Sequence, residues 1–335
     1  METSLTSFRS QLREALVAFL WRQWSALGVS GHARTADEWL IDPEALVLFS
    51  TIAARHDARL FDEILDWLHL NGDAINLQRL ARLQKEHVVG DDSILAAISS
   101  ELTRGKSQPK WRVIAQRAKS HFASAKLRPL FPHLPLADRC DEVWSAWGWQ
   151  RPPVERRGLS QAPRPNQPAT FLFKLRAIFG LQARAEIVAW LLDHESGHPA
   201  EIARATGYFR GSIQSVLKEL EASGHFFAVR TGREKRFSVR KEEWRFLLTW
   251  QNPERFPRWM SWAPLFAALR RVLDLVDHPR LEVMSPALQA IELRRALDAA
   301  RMAKGGIANV SFQHSSQAEA QYLHFALQEL RALLG

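Results

Sequence analysis

The stretch from Arg184 to Lys241, RAEIVAWLLDHESGHPAEIARATGYFRGSIQSVLKELEASGHFFAVRTGREKRFSVRK, constrains the fold more than any other part of the chain. Ile187, Val188, Leu191 and Leu192 recur at helical spacing. After Ser196-Gly197, Pro199 stands where a proline opens a second helix, predicted to run to Thr206. Gly207 permits a tight turn, and Ile213, Val216, Leu217 and Leu220 then line one face of a third helix, which Gly224 stops. Two runs of strand-forming residues follow, Phe226 to Arg230 and Arg236 to Val239. They are joined by Thr231-Gly232-Arg233-Glu234-Lys235, which reads as a hairpin with a glycine in its tip.

Ala200 to Gly207 (AEIARATG), Gly211 to Glu221 (GSIQSVLKELE) and the glycine and hairpin after them resemble the winged helix-turn-helix transcriptional regulators of the bacterial ArsR and MarR type. The resemblance is confined to residues 184–241 and therefore concerns one domain. It implies a recognition helix for double-stranded DNA, a β wing beside it, and a homodimer formed through flanking helices. Two residues depart from the pattern. Phe209 stands where a small polar cap is usual, which removes about 1 kcal/mol of capping, and Gly211 weakens the first turn further. The metal-sensing mode of some ArsR-type proteins needs thiolates, and the only cysteine is Cys140, so no metal or other cofactor is expected.

Side chains that read base edges come from the N-terminal part of a recognition helix, on the face away from the core. With the apolar positions turned inward, that set is Arg210, Ser212, Gln214, Ser215 and Lys218. Arginine can pair with guanine and glutamine with adenine through two hydrogen bonds each. The wing carries Arg230, Arg233, Lys235, Arg236 and Arg240, then Lys241, against one acid of its own, Glu234. Such a cluster suits phosphate contact whose strength falls with salt. A net charge of +9 points the same way, toward a polyanionic partner.

The rest of the chain reads as helical. Leu5, Phe8, Leu12, Leu16, Phe19, Leu20 and Trp24 mark a helix over residues 4–27 ended by Gly28. Arg13, Glu14, Arg22 and Gln23 interrupt it, so neither a signal peptide nor a membrane span is expected there. Asp42-Pro43-Glu44 is a cap, a first-turn proline and a first-turn acid for the next helix. Further helices are expected from Ala58 to Leu70, through Leu77 to Leu83, and from Asp91-Asp92-Ser93 onward. Residues 58–104 also fit a degenerate second winged helix. Basic Lys110, Arg112, Arg117 and Arg128 precede Trp144, Trp147 and Trp149, a composition that serves core anchoring or, less commonly, stacking on single-stranded nucleic acid.

Residues 151–168 hold five prolines and four arginines and no apolar period, so they read as a semi-stiff linker whose arginines are available to phosphate. Helices are predicted again after Pro264, Ser285-Pro286 and Ser315-Ser316, either packing on their own chain or serving as dimerisation elements.

The fold expected is thus mainly α: a helical N-terminal domain over residues 1–150, the linker, a winged helix-turn-helix domain over 169–250 and a helical region over 251–335. The function expected is sequence-specific regulation of transcription in the cytoplasm by a homodimer, with regulation through the spacing of two reading heads. The competing class is an interaction module whose winged helix docks on protein. No enzymatic constellation stands out. His194-Glu195-Ser196-Gly197-His198 matches the zinc-hydrolase pattern H-E-x-x-H, but that pattern needs a continuous helix, and Ser-Gly followed by Pro199 breaks it. Gly105-Lys106-Ser107 resembles the end of a phosphate-binding loop, but Ser100 replaces the required earlier glycine.

Overall fold

The computed structural model describes residues 4–31, 38–104, 107–122, 127–135, 138–232, 234–250, 255–303 and 322–334. The expected positions Lys106, Arg233 and Ser315-Ser316 lie outside them. The chain is mainly helical, with two small two-stranded sheets.

Helix α1 (Leu5–Leu27) is capped by the Ser4 hydroxyl, which accepts from Ser7 N at 3.2 Å, and ends at Gly28 with φ of +110°. Asp42 caps α2 (Pro43–Ala53), Asp57 caps α3 (Ala58–Asn71), Asn76 caps α4 (Leu77–His87) and Asp91 caps α5 (Asp92–Thr103). Helix α6 (Arg112–Phe122) follows, then β1 (Arg128–Pro129), α7 (Glu142–Ser145) and β2 (Trp149–Gln150), the two strands pairing in parallel. All of α2 except Ile52 is buried, which makes it the central helix of this body. Helix α5, the third of the trio that also fits a degenerate winged helix by sequence, is buried from Ser93 to Ser99 and has no free face to enter a groove. Trp144, Trp147 and Trp149 are core residues. Trp147 and Trp149 donate to Ser100 Oγ and Ser93 Oγ at 2.9 and 3.0 Å, so these rings are not available for stacking on bases.

Residues 151–167 have no regular structure, as their composition predicts, but they are not a free linker. They form a strap along α3. Arg151, fully buried, pairs with Asp62 at 2.8 Å, and Gly158 N and Ser160 N donate to Asp66 at 3.1 Å each. Gln161 N donates to Gly28 O at 2.9 Å, and a Cβ on Gly28 would stand 2.4 Å from Gln161 O, so this crossing requires glycine.

The strap leads into a head built from α8 (Phe171–Phe179), α9 (Ala183–Asp193), α10 (Pro199–Thr206), α11 (Arg210–Ala222) and an antiparallel hairpin, β3 (Phe226–Thr231) and β4 (Glu234–Val239). The register runs from Phe226 opposite Val239 to Thr231 opposite Glu234. The strands are therefore longer and the turn shorter than the sequence suggested, with Gly232 at φ of +64° in the tip. Leu172, Ile187, Leu191, Ile202, Ile213, Leu217, Phe226 and Phe237 form a core of the head's own. Gly197 pairs with Phe237 across the α9–α10 connection and lies so close to the Trp190 ring that a Cβ would meet it at 2.2 Å.

After the head the chain returns to the body. Helices α12 (Trp262–Asp277), α13 (Pro279–Val283), α14 (Pro286–Ala303) and α15 (Tyr322–Leu334) share the core of α1 to α7: α12 lies against α2 and α14, and α15 against α1. Leu293, Leu297, Ala326 and Leu330 are buried in that core, whereas Val283, Leu288, Ile291 and Met302 are exposed. Among the described residues no helix is long and apolar enough to cross a membrane.

Candidate nucleic-acid interface

Helix α11 is divided cleanly by burial. Ile213, Leu217 and Leu220 point into the head core, each burial contributing roughly 1.5–3 kcal/mol. Arg210, Ser212, Gln214, Ser215 and Lys218, the five residues assigned to base reading, are all exposed. Arg210 and Lys218 have no ion-pair partner among the described residues. The polar side of α11 that the apolar period implies is open.

The start of α11 is uncapped by any side chain, as Phe209 implied. Phe209 itself is 69% exposed. The Arg82 guanidinium of α4 lies 3.6 Å over its ring, a cation–π contact that ties α4 to the start of α11 and that periodicity could not reveal. Helix α4 also supplies Leu83, which fills the space beside Gly207, and Arg79, whose Nε donates to Thr206 O at 2.7 Å at the end of α10. The body thus holds the turn between α10 and α11 directly.

The hairpin differs from expectation. Within its own segment only Glu234 opposes its cations, but the fold brings in acids from three other elements. Arg236 pairs with Glu201 of α10 at 2.8 Å and touches Ser196, Lys235 pairs with Glu221 of α11 at 2.6 Å, and Arg240 pairs with Glu243 at 3.1 Å. Hydrogen bonds from Arg236 and then from the His198 backbone hold the Glu201 carboxyl below its usual range. Lys241 is taken up by the Asp193 carbonyl at 3.2 Å. These residues close the hairpin onto the head. Arg230 remains exposed and unpaired among the described residues, and Arg233 lies outside them. Arg204 on α10, passed over in the sequence, is likewise exposed and unpaired among the described residues.

Behind α11, head and body are joined by buried charges. Glu44 at the start of α2 accepts from Arg79 at 2.5 Å and from Arg176 of α8 at 2.7 Å, and Arg176 also reaches Glu186 of α9 at 2.6 Å. Asp42 accepts a second bond from Arg79 at 2.7 Å. Burial alone would raise the Asp42 pKa; the Arg79 guanidinium overcomes it and holds the carboxyl low. Burial also pushes the Tyr208 phenol far up, so it stays neutral beside Asn76, whose amide donates to it at 3.1 Å. In the sequence Asp42 and Glu44 were legible as cap and first-turn acid, but their guanidinium partners lie distant along the chain and carry no local signal.

The two histidines of the H-E-x-x-H match do not lie on one helix. His194 follows the end of α9, where its Nδ1 donates to Trp190 O at 2.8 Å and its ring stacks on Trp190 at 3.8 Å. His198 caps α10, accepting from Ala200 N at 3.2 Å. Among the described residues no group of histidine, cysteine and acids is arranged to hold a metal. Protein-family models, curated proteins and solved structures yield no match to this chain.

Proposed function

We propose that the head is a winged helix-turn-helix and that the protein is a sequence-specific double-stranded DNA-binding regulator of transcription, acting as a homodimer. The observation that carries this reading is the open polar face of α11, with Arg210, Gln214 and Lys218 exposed on a helix whose other side is core. A helix of this kind fits the major groove, and its guanidinium and amide can make paired contacts with guanine and adenine. Arg230 and Arg204 supply phosphate contacts at the edges, while the paired hairpin cations serve mainly to hold the wing in place. Repeated selection of bound duplexes from a random pool tests the reading. It expects enrichment of one motif, symmetric if two heads bind together, and recovery of no motif contradicts it.

A second reading, docking on protein, has one specific observation in its favour: Phe209 is 69% and Val229 59% exposed, one at the start of α11 and the other on β3. Exposed apolar residues of that size suit a protein surface better than a phosphate backbone. Substituting both by serine separates the readings, since DNA binding should survive it and protein docking should not.

A further inference from the structure

We propose that the cleft between α1, α12 and the turn Ala54–His56 binds a small organic anion, its carboxylate or phosphate group seated against Arg55, Arg13 and His56. The cleft encloses about 920 Å³, a volume within the range of small-molecule sites, and is part of the body rather than of the α11 face. It does not depend on the nucleic-acid reading.

The lining is rich in charge, and most of that charge is already committed. Asp57 caps α3 and accepts from Trp21 Nε1 at 2.8 Å, and Asp91 caps α5. Arg9 is paired with Glu282, and Arg270 donates to the carbonyls of Val88 and Gly90 and pairs with Asp274. Glu14 accepts from Ser10 Oγ at 2.9 Å, and what remains over includes a set of donors. Arg55 has no carboxylate within ion-pair distance among the described residues: its Nε and Nη2 go to the carbonyls of Leu130 and Pro129 at 2.9 and 3.2 Å, while Asp91 and Asp277 act on it from farther off. The guanidinium lies 4.6 Å over the Trp149 ring, and that contact fixes its plane. Arg13 pairs with Asp277 at 2.6 Å through Nη2, but its Nε is buried without an acceptor.

His56 completes the group. Its ring has no hydrogen-bond partner among the described residues, and burial, followed by the charge of Arg13, pushes its pKa to about 4. Arg55 and His133 act on it in the same sense and Asp277 against it. A partly desolvated guanidinium that makes no ion pair among the described residues is complementary to an oxyanion. The site also has a path to the head: α2 leads into the turn that bears Arg55 and has Glu44 in its first turn, which grips Arg176 of the head.

Calorimetric titration of the full chain in chloride buffer at constant ionic strength, with inorganic phosphate and with malonate as probes, tests this. Saturable binding at one site per chain is expected for at least one probe; phosphate alone assigns a phosphate ester, malonate alone a carboxylate, and both an oxyanion in general. Arg55→Gln and, separately, Arg13→Gln should each weaken binding at least tenfold, whereas Arg271→Gln on the surface of α12 should leave it unchanged. Arg13→Gln is informative even if Arg55→Gln fails to fold, because Arg55 also props the Pro129–Leu130 segment. Absence of saturable binding for both probes, or unchanged affinity in folded Arg13→Gln, overturns the proposal.

Discussion

Arg79 of α4 and Arg176 of α8 donate to the same oxygen, Glu44 Oε2, at 2.5 and 2.7 Å. One carboxylate thereby ties a body helix and a head helix together where no water reaches, and the remaining Glu44 oxygen accepts from Asn76 N at 2.7 Å. Removing one partner of such a buried set leaves the others uncompensated, at about 3–5 kcal/mol. Glu44→Gln should therefore lower the unfolding free energy read from a urea titration by an amount of that order. A loss under about 1 kcal/mol would mean that the arginines find other partners.

The hairpin arginines should separate by role. Arg236→Ala removes contacts to Glu201 and Ser196 and should lower thermal stability while leaving the salt dependence of duplex binding nearly intact. Arg230→Ala touches no ion pair and should do the reverse, reducing the slope of log K against log salt by about 1. Differential scanning calorimetry together with binding titrations at several salt concentrations checks both.

Stability should fall as pH drops from 6.5 toward 4. Burial is the main cause that lowers the pKa of His56 and of His69 from 6.5 to about 4. Between those values the unfolded chain binds the proton and the folded chain does not, so the contribution is fully present above 6.5 and lost as pH falls through about 4. Asp62, Glu63 and Glu101, raised by burial, work in the opposite sense, which makes the total a poor readout. The difference between wild type and His56→Gln/His69→Gln isolates the imidazoles. The double variant should show the flatter profile in phosphate-free buffer.

The crossing of strap and α1 gives a sharper local test. Gly28→Ala must move Gln161 O out of the 2.4 Å approach and hold alanine at a φ of +110°. Destabilisation of at least about 1 kcal/mol is expected, together with faster proteolysis within residues 151–167. Unchanged cleavage would show that the strap does not depend on this contact.

Local chemistry made the helices legible. Ser4, Asp42 and Asp57 each cap the helix that the sequence placed after them, Gly28 and Gly207 end helices as expected, and the apolar face of α11 contains the predicted leucines and isoleucine. The exposed side of α11 followed from that same period. Partners distant along the chain were not legible. Glu201 and Glu221 neutralise hairpin cations because α10 and α11 fold back beside β4, and Arg151 and Arg157 are drawn onto Asp62 and Glu63 of α3 rather than left for phosphate. A charge tally within a segment carries no information on acids supplied by another. The same limit hid the role of α4, whose Arg79, Arg82 and Leu83 meet the turn before α11 only in three dimensions.

The central claim is that the exposed face of α11 reads duplex DNA, and fluorescence anisotropy on a labelled duplex carrying the selected motif tests it most directly. Wild type should bind with log K falling linearly in log salt, and Arg210→Ala/Gln214→Ala/Lys218→Ala should lose at least about tenfold in affinity with an unchanged melting temperature. Binding that is absent at every salt concentration, or equally tight in the folded triple variant, would contradict the account.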